Sequence, residues 1–299
     1  MGGEKIVAGL IAATGVHWLA GCGQDRLLTV GSKNFTEQVI LGEIVAQHVS
    51  LRLSQRVDRK LNLGGTLLAH QALVKGDLDL YPEYTGTALT SILKLPLSSD
   101  PAAVLAKVQA EYLARFNIHW LDPLGFNNTF AMVIHGEDAR QYRIESLSDA
   151  ARRAPGKEGW RLGVGYEFQQ RPDGLAGLLK TYKLSLKGSP KSMDLGLLYR
   201  ALEQKQVDMV AANATDGLLS VLDVKVLKDD KRHFPPYQAS LAVRADTLAA
   251  HPPLKRALEQ LSGLFSDEIM RTLNYQVDGK HRHVSEVAIT FLRASRLLA

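Results

Sequence analysis

The chain has 299 residues, 45% of them hydrophobic and 22% charged, with a formal net charge of +5. Its lysines and arginines are scattered among 31 acidic residues, which excludes the clustered basic face of a nucleic-acid binder, so no nucleic-acid partner is expected. The single cysteine, Cys22, excludes an internal disulfide framework and argues against a cysteine-based zinc site.

In chain order, residues 6–20 form an apolar run behind Lys5. The run is too short to span a bilayer and has the length of a signal-peptide hydrophobic region. It ends in Leu19-Ala20-Gly21-Cys22, which resembles the lipobox of bacterial lipoproteins. That resemblance implies a signal peptide over 1–21, lipidation of the Cys22 thiol and a membrane reached through the lipid anchor. Glu4 and His17 are atypical of a signal, and the alternative is a buried N-terminal helix.

Residues 27–31 (L-L-T-V-G) read as a strand. Polar S-K-N-F-T-E-Q follows, then a helix with Ile40 and Ile44 on one line and Leu41, Val45 and Val49 on the next. A short strand is expected at 60–63, a helix at 67–75 ended by Gly76, and a strand at 78–81. Pro82 is expected to end that strand, with Tyr81 as its last packing residue. A helix over 88–93 stops before Pro96, and another over 101–116 gathers Val104, Leu105, Val108, Tyr112 and Leu113 on one face. Strands at 129–134, 160–166, 207–212 and 237–244 are interleaved with helices at 175–182 and 193–204. The segment after Pro253 is helical along Leu254, Leu258, Leu261 and Leu264. Such alternation means an α/β fold with mixed, mostly parallel sheets flanked by helices, and ligands at the carboxyl ends of the strands.

Motifs for chemistry are missing: there is no G-x-S-x-G, H-E-x-x-H or P-loop, and G-V-G-Y-E-F lacks the third glycine of a dinucleotide fingerprint. The histidines are dispersed, and no pair of carboxylates is singled out as acid and base. Binding without catalysis is therefore expected, with no metal and no cofactor. An enzyme on the same architecture would need an acid–base pair, and Asp216 with Glu37 is the one to check. What remains is a set of strand-end turns. Lys33, Thr87 and Arg171 can hold a carboxylate by charge-assisted hydrogen bonds. Tyr84, Phe126, Phe130, Tyr166 and Tyr237 offer π faces, which attract a cation that has no proton to donate. Together they suit a zwitterion such as a betaine.

Seven segments then occur in order: G-S-K-N-F-T-E-Q (31–38), L-N-L-G-G-T (61–66), D-L-Y-P-E-Y-T-G-T (79–87), G-F-N-N-T-F (125–130), F-Q-Q-R-P-D-G (168–174), A-T-D-G (214–217) and F-P-P-Y (234–237). With them the chain resembles, over nearly all of its length, the substrate-binding proteins of osmoprotectant ABC transporters, the glycine betaine/choline family. The resemblance implies a two-lobed, type II periplasmic-binding-protein fold that closes on its ligand by a hinge. Lobe one would be 27–128 plus 238–299 and lobe two 129–237, with crossovers near Asn128 and Tyr237. It also implies that Tyr84 and Tyr237 are cage walls and that Lys33, Thr87 and Arg171 hold a carboxylate. Gln38 and Asn128 are secondary polar candidates, while Asp77, Asp79 and Glu83 are read as solvated or structural.

Two positions depart from the family pattern, which often has tyrosine at both. Phe130 keeps a π face and loses a hydroxyl; Asn213 removes a wall and adds a donor and an acceptor. That change suits a larger betaine with a hydrogen-bonding tail, such as ergothioneine, as an alternative to glycine betaine. An amino acid or other carboxylate is a further alternative. The implied protein is a monomeric, lipid-anchored receptor at the periplasmic or outer face of the cell membrane. It delivers its solute to an ABC permease.

Overall fold

The computed structural model describes residues 27–153 and 158–297. The signal-peptide and Cys22 readings lie outside the described residues.

Two five-stranded sheets carry the architecture. The first contains β1 (Leu28–Gly31), β2 (Val57–Lys60), β3 (Leu80–Tyr84), β4 (Ile118–Trp120) and β10 (Ala239–Arg244), in the order β2-β1-β3-β10-β4. The second contains β5 (Phe130–His135), β6 (Leu162–Val164), β7 (Lys191–Ser192), β8 (Met209–Asn213) and β9 (Val224–Val226), in the order β7-β6-β8-β5-β9. The chain enters the second sheet at β5 and returns to the first at β10. These two crossover strands make the sheets less parallel than helix–strand alternation suggested. β1 is parallel to β2 and β3, whereas β10 runs antiparallel to β3 and β4. Likewise β6 is parallel to β7 and β8, whereas β5 runs antiparallel to β8 and β9.

Pro82 does not end its strand. It lies inside β3, opposite Leu241 of β10. The Leu241 carbonyl accepts from Leu121 on the other side, so the Pro82–Leu241 pair is a non-hydrogen-bonded one. The proline nitrogen then faces the β1 side, past that ladder's last bridge at Leu80, where a missing N–H breaks nothing. Tyr81 is core, as expected, but the strand continues beyond it to Tyr84. The strand expected at 60–63 instead covers 57–60, because Asn62 (φ 60°) and Gly64 (φ 131°) take left-handed backbone that a strand cannot use. Tyr166 opens a short helix (Tyr166–Gln170) in place of ending a strand.

The helix Thr36–Leu53 is the spine of the first lobe. Both of its apolar lines are buried, one toward the sheet and one toward the C-terminal helices Pro252–Glu259, Asp267–Asp278 and Val284–Ala294. Its buried His48 donates from Nε2 to the Ala257 carbonyl at 2.8 Å, tying the two layers. Helix Pro101–Phe116 starts as its sequence dictates, with proline in the first turn and the Asp100 side chain accepting from Ala102 and Ala103. Among the described residues no helix is long and apolar enough to cross a membrane.

Candidate functional site

A cavity of about 780 Å³ opens between the lobes, lined by the turns that follow β1, β3, β6 and β8 and by the two crossovers. Eight of the nine candidate residues line it: Lys33, Tyr84, Thr87, Asn128, Phe130, Arg171, Asn213 and Tyr237. Gln38 does not; it is buried behind the site, where its Oε1 accepts from the Lys33 backbone.

One end is built around Arg171. Its Nε and Nη2 bond the Asp173 carboxylate, Nη1 donates to Thr87 Oγ1 at 2.8 Å, and Nη2 donates to the Tyr237 hydroxyl at 3.0 Å. Tyr237 in turn donates to Asp173. The Arg171 guanidinium carbon lies 5.0 Å from the Phe130 ring centre and 5.2 Å from that of Tyr237. Burial works against the Arg171 charge, but Tyr237 and Asp173 outweigh it and hold the group above its ordinary pKa. Because Thr87 follows β3 and Arg171 follows β6, this cluster joins the two lobes.

Lys33, expected to help hold a carboxylate, lines the cavity and is also paired within the protein. Its ammonium is buried against Glu83 at 2.6 Å and bonds Thr66 Oγ1 at 3.3 Å, while lying 4.7 Å from the Tyr84 ring centre. Glu83 is thus structural, fully buried, and also accepts from the Tyr81 hydroxyl and the Tyr84 N–H. Asp79 is structural as well, accepting from the Thr29 N–H and the Thr247 hydroxyl. Asp77 is exposed.

Glu37 sits at the centre of the site with only a passing signal in the sequence. Tyr84 and Asn128 donate to its Oε1 at 2.6 and 2.7 Å, and Thr215 and Asn274 donate to its Oε2. Burial pushes this carboxyl up, and the four hydrogen bonds offset only part of that push. The signal that points to it is its place, an acid in the first helical turn after β1 in the run N-F-T-E-Q. Phe35, from the same run, stacks on Tyr84 with ring centres 6.2 Å apart.

Glu167 reaches across the cleft. Its carboxylate accepts from the Thr66 N–H at 2.6 Å and the Thr66 hydroxyl at 3.1 Å. It thereby caps the helix Thr66–Lys75, whose N-cap residue Gly65 has no side chain to do so. A Cβ at Gly65 would come within 2.7 Å of that carboxylate, so glycine is what lets the two lobes meet there.

Asp216 and Glu37, the one acid–base pair worth checking, both line the cavity and both bond side chains. Glu37 already accepts four hydrogen bonds, which fills its lone pairs and leaves none for a substrate proton. Burial pushes the Asp216 carboxyl up to about 7, against the Asn213 N–H and the Tyr199 hydroxyl; the Glu37 and Asp278 charges add to the rise. Its ordinary value is 3.8, so the folded protein keeps this proton at pH values where the unfolded chain has lost it. Stability is therefore expected to fall as pH rises from about 4 to about 7, and Asp216 to contribute no slope outside that window. Urea denaturation at pH 5 and pH 7.5 checks this: Asp216→Asn should lose that slope, and a slope equal to the wild type's would refute it.

Two α/β lobes with a ligand-sized cavity at their strand ends define a solute-binding protein of the two-lobed periplasmic type. The chain belongs to the family described as the substrate binding domain of ABC-type glycine betaine transport systems, whose model matches residues 26–294. It is 36% identical over 274 residues to the ergothioneine transport permease/ergothioneine binding protein EgtU of Helicobacter pylori, covering 90% of this chain and 48% of that protein. The chain thus spans about half the length of that relative. With the glycine-betaine-binding protein of Pseudomonas aeruginosa it shares 35% identity over 302 residues, 99% of this chain and 96% of the other. Among solved structures, a glycine betaine/carnitine/choline ABC transporter protein matches with a TM-score of 0.76 and 32% identity, over 90% of this chain and 99% of that one. These relatives are transport proteins, in keeping with a site whose central carboxylate has no free lone pair.

Proposed function

We propose that the chain is the receptor of an ABC importer for a betaine-type zwitterion, held outside the cytoplasmic membrane by a lipid on Cys22. The observation that carries the reading is the pairing, in one cavity, of π faces from both sides with a cross-lobe arginine. Phe35 and Tyr84 stand on one side, Phe130 and Tyr237 at the crossovers. These rings already hold cations of the protein itself, Lys33 over Tyr84 and Arg171 over Phe130 and Tyr237. A trimethylammonium group is attracted by the same quadrupole. The ligand's carboxylate takes the N–H that Arg171 Nη1 has beyond its bond to Thr87, together with the Thr87 hydroxyl. Lys33 contributes mainly field, since Glu83 neutralises it. Lobe one is 27–128 plus 238–299 and lobe two 129–237, the division along which the two sheets separate.

Calorimetry against glycine betaine, proline betaine, choline, carnitine and ergothioneine tests this. Binding of at least one carboxylate-bearing betaine, tighter than choline, is expected; no binding by any would sink the reading. Tyr237→Ala should weaken binding by about 1–2 kcal/mol, the scale of a desolvated cation–π contact. Tyr237→Phe, which keeps the ring, should lose less. Equal losses would transfer the role of Tyr237 from its ring to its hydroxyl. Labelling of the wild type, but not of Cys22→Ser, with a palmitate probe tests the anchor.

A further inference from the structure

The second lobe presents polar groups in the same cavity that neither the cation nor the carboxylate of a simple betaine uses. Asn213 ends β8 opposite Phe130 of β5, so its side chain lies beside a cage wall, on the same face of the sheet. Its side-chain amide lines the cavity and makes no hydrogen bond to a described residue. Asp216, three residues on, is fixed through one oxygen only. Its Oδ2 accepts from the Asn213 N–H and from the Tyr199 hydroxyl, both at 3.0 Å. Its Oδ1 accepts from no described residue, and Asp216 too lines the cavity. The pair therefore offers an amide, itself both donor and acceptor, and a carboxyl oxygen beside it, held in register by a backbone hydrogen bond. A cavity of about 780 Å³ is also in the range of pockets for larger organic ligands, beyond what a compact betaine fills.

Resting on the receptor reading above, we infer that Asn213 and Asp216 form a selectivity subsite for a betaine whose tail carries both a hydrogen-bond donor and an acceptor. A hydroxyl or a ring N–H meets that description. A site built to pair such a group discriminates strongly against an analogue lacking it, because its own polar atoms are then left unpaired on closure.

The experiment compares carnitine, whose tail has a hydroxyl, and ergothioneine, whose tail has ring N–H groups, with glycine betaine, which has neither. Wild type is expected to bind at least one of the first two tenfold or more tighter than glycine betaine; which of them does so separates the hydroxyl source from the ring source. In Asn213→Ala that ratio should fall at least tenfold. Should this variant bind nothing, Asp216→Asn, which keeps volume and the Tyr199 hydrogen bond, answers the same question by the same ratio. A wild type that binds glycine betaine as tightly as both others, or a ratio unchanged in the variants, overturns the subsite and leaves the receptor reading standing. A wild type that binds no betaine at all overturns both.

Discussion

Arg171→Ala is expected to destabilise the protein by about 3–5 kcal/mol and to remove ligand binding. The guanidinium is 8% exposed and its partner Asp173 is fully buried, so the substitution leaves an anion inside the protein with its cation gone. The hydrogen bonds from Tyr237 and Thr90 do not replace that charge. Stability and binding can be separated. Arg171→Met combined with Asp173→Asn removes both charges at similar volume, and should recover most of the stability, because neutral replacement of a buried pair is well tolerated. It should not recover binding, because Thr87 alone cannot hold a carboxylate. Urea denaturation and calorimetry on the two variants read this directly. A double variant that regains affinity would remove Arg171 from the ligand's partners.

Glu37→Ala should cost on the order of 3 kcal/mol, because it orphans buried donors on Tyr84, Asn128, Thr215 and Asn274 together. Those donors come from β3, from the first crossover, from the turn after β8 and from the C-terminal helix Asp267–Asp278. Ligand affinity should fall with stability, since the Tyr84 ring loses the bond that orients it. Glu37→Gln keeps an acceptor and places an amide against the remaining donors, so a smaller loss is expected. Equal loss in both variants would show that the negative charge, and not the hydrogen-bond count, holds this knot together.

The alternation of strand and helix was readable because the apolar spacing of each segment is local, and so was the set of strand-end turns that converge on the cleft. Charge partners were not readable. Nothing near Lys33 in sequence shows that its ammonium meets Glu83, fifty positions on. Glu83 therefore read only as solvated or structural, and Lys33 as a ligand for a carboxylate, with no sign that the two meet. Glu37 was visible only as half of a catalytic pair, since its four donors come from segments up to 237 positions away. Pro82 misled for a similar reason. Proline argues against a central strand, and only the register of β3 against β1 and β10 shows that its missing N–H falls beyond a ladder's end. Glu167 and Gly65 meet across the cleft, a contact that no spacing rule anticipates.

The return of β10 has a consequence for how the chain is made. Once residue 226 has emerged from the ribosome the second sheet has all its strands, but the first still lacks the one that belongs between β3 and β4. Until Ala239–Arg244 arrives, those two strands present open edges, the usual template for misassociation. Synthesis order therefore completes the second lobe before the first. Substitutions in β10 that slow its insertion would be felt as aggregation during biogenesis, at positions remote from the ligand and with native affinity intact in the molecules that survive.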